Sequence, residues 1–465
     1  MLKFKHWPEV FKSSEKQPAY LLIPSIISND IDTGNLKPRD RLPPIRELAK
    51  FLSLDYTTVV RAYKEARYQG LIDSHPGTGT FIKGKTKTLK LSGGSNVEMT
   101  MNLPPEPNSP RLTEKLDFGI EMLSTKHDLQ AMFRYQDFGG TENAKQAGVE
   151  FLNPIIDSPQ SNQVLVCPGI HSALVGLMSM LAGRGETVCV QSLVYPGLKA
   201  IAAQLAIALS AIDSDDDGPV ISQLEALCSG RKVSAIYLNP TLQNPTTQSI
   251  SLNRREAIAD VAMHYSVPII EDDPYAPLLE TPIAPIASFA PDITYYVTGF
   301  SKCFSAGLRT AYLYAPSKLL AQRVAGALRA LSVMASPITN ALATDWINDG
   351  TVNSVIQAIR DETYVRQSYA KKHLGNYIKH NQRDVFHLWL QLPKNFEMPP
   401  SIFATYLREQ GVNAVSSAAF CTDNNPPNAI RVGLGGSLTR EECEESLRLI
   451  AHTFEHPLHL QSVVL

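Results

Sequence analysis

Residues 267–275 read VPIIEDDPY and residues 293–302 read ITYYVTGFSK. Each is a near-continuous apolar run that ends in groups too polar for its surroundings, three acids in the first and a lysine in the second. A short apolar run bounded by turn signals describes a strand buried on both faces. The pattern recurs outward in both directions, at 164–167 (VLVC), 188–190 (VCV), 234–240 (SAIYLNP) and 309–316 (RTAYLYAP). Between several of these runs the apolar spacing becomes helical, as in 171–182 and 254–265. Such strands alternating with helices predict an α/β domain on a mainly parallel sheet covered on both faces.

Ligands of open α/β sheets bind where the strands end, and the strand ends carry the unusual residues. Cys167-Pro168-Gly169-Ile170-His171-Ser172 is a glycine turn that opens a helix, a place where backbone N–H groups converge on an anion. Asn239–Thr246 (NPTLQNPT) is a stiff loop with two Asn-Pro steps. Glu271-Asp272-Asp273 places carboxylates where burial is expected, so they need cationic or hydrogen-bonding partners. Lys302 ends the next strand, and Arg309 follows seven residues later. A strand-end lysine, a strand-end acid, a phosphate turn and rigid asparagine loops suit pyridoxal 5'-phosphate. The lysine attaches the cofactor as a Schiff base, and an acid opposite the ring nitrogen keeps that nitrogen protonated.

The set NPT…DDPY…FSK…GLR resembles the fold-type I, class I aminotransferases over about residues 97–465. The resemblance implies a fold-type I domain with a small C-terminal α+β subdomain, and it implies roles by position. Lys302 is the cofactor-attaching, catalytic lysine and Asp272 the partner of the ring nitrogen. Tyr275 and Asn244 donate to the phenolic oxygen. Ser301 and Arg309 hold the phosphate, with backbone from Ile170 and His171. Tyr195 in LVYPG stacks on the ring. Arg431 in AIRVGLG clamps a substrate carboxylate, a bidentate task suited to guanidinium, and Asn102 in MNLPPEP lines the substrate mouth. Tyr135 in RYQDFGG resembles the tyrosine that reaches the neighbouring subunit's phosphate; a core or interface tyrosine is the alternative. The sequence departs from the pattern at Gly299, usually Ser or Thr, and at Ala306, usually Pro.

The first 82 residues have another character. Ile23, Ile26, Ile27 and Ile31 mark one helix face. Pro43-Pro44 opens a second helix with Ile45, Leu48, Ala49 and Leu52 inward. A third helix begins at Thr57, with Val59, Tyr63 and Ala66 inward. Leu71–Asp73 and Thr80–Ile82 then bracket HPGTG as a hairpin. Two helices joined by a tight turn and followed by a β-wing form a winged helix-turn-helix, whose second helix of the pair enters a major groove. LPPIRELAKFLSLDYTTVVRAYKEARYQGLIDSHPGTGTFI closely resembles the DNA-binding domain of GntR-type regulators over roughly residues 17–82. By that resemblance Arg46, Thr57, Thr58 and Arg61 face DNA, and the wing, with His75 and Gly77, follows the backbone. Solvated surface arginines are the plainer reading of Arg46 and Arg61. Tyr56 stands where the family often has arginine.

Charge divides the chain in the same way. Residues 1–90 hold 16 Lys and Arg against 9 Asp and Glu; the remainder holds 27 against 36. A basic head on an acidic body points to an anionic polymer for the head, here double-stranded DNA. Residues 83–96, KGKTKTLKLSGGSN, have linker composition. The expected organisation is therefore 1–82 DNA-binding, 83–96 linker and 97–465 cofactor-binding. Six scattered cysteines without metal-ligand spacing, no apolar leader segment and no apolar run of membrane-spanning length give the expectation of a reducing cytoplasm and no membrane or metal.

A GntR-type head joined to an aminotransferase-like body resembles the MocR family of bacterial regulators. That resemblance implies a homodimeric, pyridoxal-phosphate-dependent transcriptional regulator that responds to an amino compound. A working aminotransferase with an appended head is the alternative from another class, and a sensor of free pyridoxal phosphate is a third.

Overall fold

The computed structural model describes residues 4–13, 18–37, 40–68, 71–75, 79–82, 97–230, 233–380, 382–393, 396 and 398–455. The chain divides into two compact units, Met1–Gly94 and Ser95–Leu465. The linker segment 83–96 lies outside the described residues.

The periodicity of the head predicts three helices before the hairpin, and its described residues form four. The additional one, α1 (Trp7–Ser13), has seven residues, too few to display a repeat. Its Trp7 is fully buried and donates its indole N–H to Asp30 at 2.8 Å, which satisfies a carboxylate that is itself buried. Helix α2 (Ala19–Asp32) buries Ile23, Ile26 and Ile27. Helices α3 (Ile45–Leu52) and α4 (Tyr56–Tyr68) are separated by three residues, and Ser53 closes α3 in the left-handed conformation. The Tyr63 hydroxyl donates to the Pro43 carbonyl at 2.7 Å, tying the buried face of α4 to the entry of α3. The hairpin pairs β1 (Ile72–His75) with β2 (Gly79–Ile82), Ile72 opposite Ile82. This is the winged helix-turn-helix arrangement.

The body is built on a seven-stranded sheet. Its order is Val164–Cys167, Ala311–Tyr314, Thr294–Gly299, Ile269–Asp272, Val233–Leu238, Thr187–Gln191, Ala208–Ile212. Six strands run parallel and Ala311–Tyr314 runs against both neighbours. Helices cover both faces, so adjacent residues of one strand enter different cores. Ile270 packs in the cluster with Leu174 and Leu177 of the helix Ile170–Leu181; Ile269 packs in the cluster with Ile258 and Ala262 of the helix Leu252–His264. That two-sided burial is why these strands read as continuous rather than alternating apolar runs. The strand Ala208–Ile212 gave no such signal, because at the sheet edge it is mostly half-exposed. A smaller antiparallel sheet, His387–Gln391, Ala429–Gly433 and Val415–Ser416, forms the C-terminal subdomain with the helices Pro400–Glu409 and Arg440–Glu455.

Candidate functional site

Within the body, the C-terminal ends of the central strands open into a cavity of about 580 Å³. Eleven of the twelve residues singled out in the body line it: Lys302, Asp272, Tyr275, Asn244, Ser301, Arg309, Tyr195, Ile170, His171, Arg431 and Asn102. The twelfth, Tyr135, lies elsewhere and is 81% exposed.

The acids 271–273 separate by the pleat of the strand. Glu271 turns to one face, where its oxygens accept the Ile286 and Ala287 N–H groups at 2.8 and 2.9 Å beside the buried Arg255. Asp273 accepts from Thr241 at 3.0 Å. Asp272 lines the cavity. One of its oxygens accepts the Tyr237 hydroxyl at 2.6 Å, and the other, Oδ1, is buried without a partner among the described residues. Burial, with Asp273 nearby, pushes the Asp272 carboxyl up to about 7. An unpaired buried carboxylate is costly, so this oxygen suits a cationic donor.

Lys302 sits on the one-turn helix Phe300–Cys303, which begins where the strand Thr294–Gly299 ends. Its ammonium donates to the Asn102 main-chain carbonyl. Burial, then Arg431, holds its amine down at about 8, so about a tenth of it carries a free lone pair at pH 7. Gly299 resolves the first departure from the family pattern. A Cβ there would stand 2.7 Å from Ala311, so interstrand packing leaves no room for Ser or Thr.

At one end of the cavity, Gly169 (φ +89°) precedes the helix Ile170–Leu181, and a Cβ on it would meet the Arg309 guanidinium at 2.5 Å. Glycine is thus required for Arg309 to lie across the helix start. Arg309 is itself held at φ +50°, a conformation that costs a non-glycine residue about 1–3 kcal/mol and is found at sites the fold over-determines. Elsewhere in the lining, Arg431 donates to Asn244 Oδ1 at 2.9 Å and to the Thr100 carbonyl, stands over the Phe420 ring at 5.1 Å, and keeps Nε without a partner among the described residues. Because Arg431 occupies the Asn244 oxygen, the Asn244 amide N–H₂ remains a donor.

Several supporting residues carried no readable role in the sequence. Asn239 donates to the Asp272 carbonyl at 2.6 Å and accepts from the Asn244 N–H at 2.9 Å, which explains the stiff loop. Tyr237 reads only as one more apolar strand residue. His387 and Thr100 belong to distant segments without a motif.

On the head, Arg46 is exposed on α3, Thr57 and Arg61 are exposed on α4, and Thr58 is half-buried. The Arg61 guanidinium stacks over the Tyr20 ring at 4.3 Å. His75 ends β1, its side chain outside the described residues, as is Gly77. No helix of the described residues is long and apolar enough to cross a membrane.

The family described as aminotransferase class I and II matches residues 100–450. The chain belongs to this family. Residues 20–82 match bacterial regulatory proteins of the gntR family, so this aminotransferase-family chain carries a GntR-type helix-turn-helix head, the MocR-type combination. YdeF, an uncharacterized HTH-type transcriptional regulator of Bacillus subtilis (strain 168), is 27% identical over 461 residues, 96% of this chain and 97% of that one. The HTH-type pyridoxine biosynthesis transcriptional regulator PdxR of Corynebacterium glutamicum is 24% identical, covering 86% of this chain and 88% of that one. The crystal structure of the multiple substrate aminotransferase from Thermococcus profundus superimposes with a TM-score of 0.70 at 20% identity, over 79% of this chain and 93% of that one. The structural match establishes the fold of the body. The near full-length relatives share both parts and are transcriptional regulators, which favours the regulator reading over an enzyme with an incidental head.

Proposed function

We propose that the chain is a cytoplasmic, homodimeric transcriptional regulator whose head binds double-stranded DNA and whose body holds pyridoxal 5'-phosphate and senses an amino compound. The observation that carries the cofactor reading is the unpaired, buried Oδ1 of Asp272 in the same cavity as Lys302. A protonated ring nitrogen would supply the missing donor. The cradle of Gly169 and Arg309, with Ser301 and the first N–H groups of the helix Ile170–Leu181, suits a phosphate. The donor set thus fits the cofactor at both ends. When bound, pyridoxal phosphate supplies an electrophilic carbon and an electron-withdrawing ring.

The chain's own residues do the rest. Lys302, with its pKa held at about 8, offers a neutral amine for covalent attachment. Asp272 keeps a ring N–H charged, and Tyr237 and Asn239 hold Asp272 in place. Arg431 orients an incoming carboxylate through its remaining N–H groups. Tyr195, half-buried at the start of the helix Pro196–Leu205, walls the cavity where a ring would stack. A switch needs a ligand that binds two states of the protein unequally. The amino compound is that ligand in this reading, and the exposed Tyr135 is the residue through which a second copy would be reached.

The deciding experiment is recovery of DNA fragments by the purified full chain, followed by binding with and without each amine that alters the cofactor spectrum. An amine that changes operator affinity supports the switch; absence of any selectively retained fragment refutes it. The intact Lys302, Asp272 and Arg431 set keeps transamination as the second reading. Steady multiple turnovers with an amino acid and a keto acid would favour it.

A further inference from the structure

His387 is fully buried on the strand His387–Gln391, and Asn102 and Tyr275, which it adjoins, both line the cavity. Its Nε2 lies 3.3 Å from the Gln243 carbonyl oxygen. A carbonyl only accepts, so Nε2 carries the proton. Burial, then the cationic Arg431, holds the ring neutral. A neutral imidazole has a single N–H, and Nδ1 therefore presents a lone pair. That atom is 3.2 Å from Asn102 Nδ2, which donates to it and also reaches the Tyr275 hydroxyl oxygen at 2.6 Å.

The order of donors is then fixed along the chain of contacts. A flipped Asn102 amide would set its oxygen against the Nδ1 lone pair, acceptor against acceptor. Held as it is, Asn102 donates to Tyr275, so the Tyr275 proton points away from Asn102. Burial keeps that hydroxyl protonated.

We propose that His387 is a positioning residue: by fixing the Asn102 amide it makes Tyr275 a hydrogen-bond donor to an anionic oxygen bound in the cavity. This rests on the cofactor reading above, in which that oxygen is the phenolic oxygen of pyridoxal phosphate. A donated hydrogen bond stabilises an anionic oxygen and favours the deprotonated form of the bound cofactor.

The test is the pH midpoint of the visible absorption of the full chain loaded with pyridoxal phosphate. Tyr275→Phe is expected to raise the midpoint by roughly one to two pH units, the equivalent of one hydrogen bond to a charged oxygen. His387→Phe keeps a ring against Tyr275 and removes the acceptor, and it is expected to raise the midpoint similarly. The double variant is expected to move no further than Tyr275→Phe alone, since both act through one bond. His387→Asn places an amide oxygen near the position of Nδ1 and is expected to restore the wild-type midpoint. A wild-type midpoint in His387→Phe, or shifts that add in the double variant, overturns the proposal. Should His387→Phe fail to fold, His387→Leu carries the same expected rise, and an unmoved midpoint in it overturns the proposal. A wild-type chain that takes up no pyridoxal phosphate overturns the cofactor reading and this proposal with it; uptake with an unmoved His387 variant overturns this proposal alone.

Discussion

Tyr237 donates its hydroxyl proton to one carboxylate oxygen of Asp272 at 2.6 Å from the neighbouring parallel strand, and the other oxygen of Asp272 is buried with no partner among the described residues. The side chain is anchored on one side and open on the other. Both halves matter: an unanchored acid could swing out of position, and a fully satisfied one would have nothing to offer a ligand. Asp272→Asn keeps the shape and removes the charge. It is expected to weaken pyridoxal phosphate by roughly ten- to a hundred-fold, the range of a hydrogen bond to a charged group. Equilibrium titration of the cofactor-free chain measures this, and unchanged affinity would contradict the assignment.

Lys302→Ala is expected to abolish borohydride-fixed attachment of pyridoxal phosphate while leaving the cavity able to bind it without a covalent link. Peptide mapping after reduction gives the answer directly. Label found on any other lysine would move the site.

Stability and pH are linked through the same acid. Burial holds the folded Asp272 carboxyl at about 7, whereas an unfolded carboxyl titrates near 3.9. Between about pH 4 and 7 the folded chain retains a proton that the unfolded chain has lost, so this group's stabilisation is present at low pH and disappears as pH rises through 7. Asp272→Asn has no such proton. In urea unfolding of the cofactor-free chain, the variant should therefore gain on wild type between pH 5 and pH 8. Glu271, also held at about 7 by burial, is common to both proteins and cancels. A stability difference that ignores pH would show that Asp272 is not held in this way.

Arg431 offers a fork of N–H groups in a largely buried site. A bidentate, charge-assisted pair contributes about 2–3 kcal/mol, or roughly 30- to 150-fold in affinity. Lysine keeps the charge and loses the fork, so Arg431→Lys should lose most of that range for carboxylate-bearing amines and little for amines without a carboxylate. Comparing the two ligand classes by spectral titration separates recognition from general damage.

The head should hold DNA largely through phosphates. Affinity is expected to fall by orders of magnitude between low and moderately high salt. Arg46→Ala and Arg61→Ala should each weaken binding and flatten the salt dependence without altering the cofactor spectrum. Arg61 is stacked on Tyr20, so Tyr20→Ala should reproduce part of the Arg61 loss. Operator binding indifferent to both arginines would exclude the exposed faces of α3 and α4 as the interface.

Much of this molecule is written locally. Helical spacing in Ile23, Ile26 and Ile27, the continuous apolar runs ending at Asp272 and Lys302, and the basic head were legible because each depends on residues close together in the chain, and local spacing sets which face is buried. The strand at 208–212 and the helix at 7–13 were not, one lying at a half-exposed edge and the other too short to repeat. What only the tertiary structure decided is how distant segments complete the site. Three adjacent acids are alike in the sequence; the pleat and the packing on each face of the sheet send Glu271 to backbone N–H groups, Asp273 to Thr241 and Asp272 to the cavity. Asn102 meets Lys302 across 200 residues and His387 across 285. No periodicity encodes such a meeting, because a hydrogen bond between remote segments depends on where the fold brings their backbones and not on the spacing of either one.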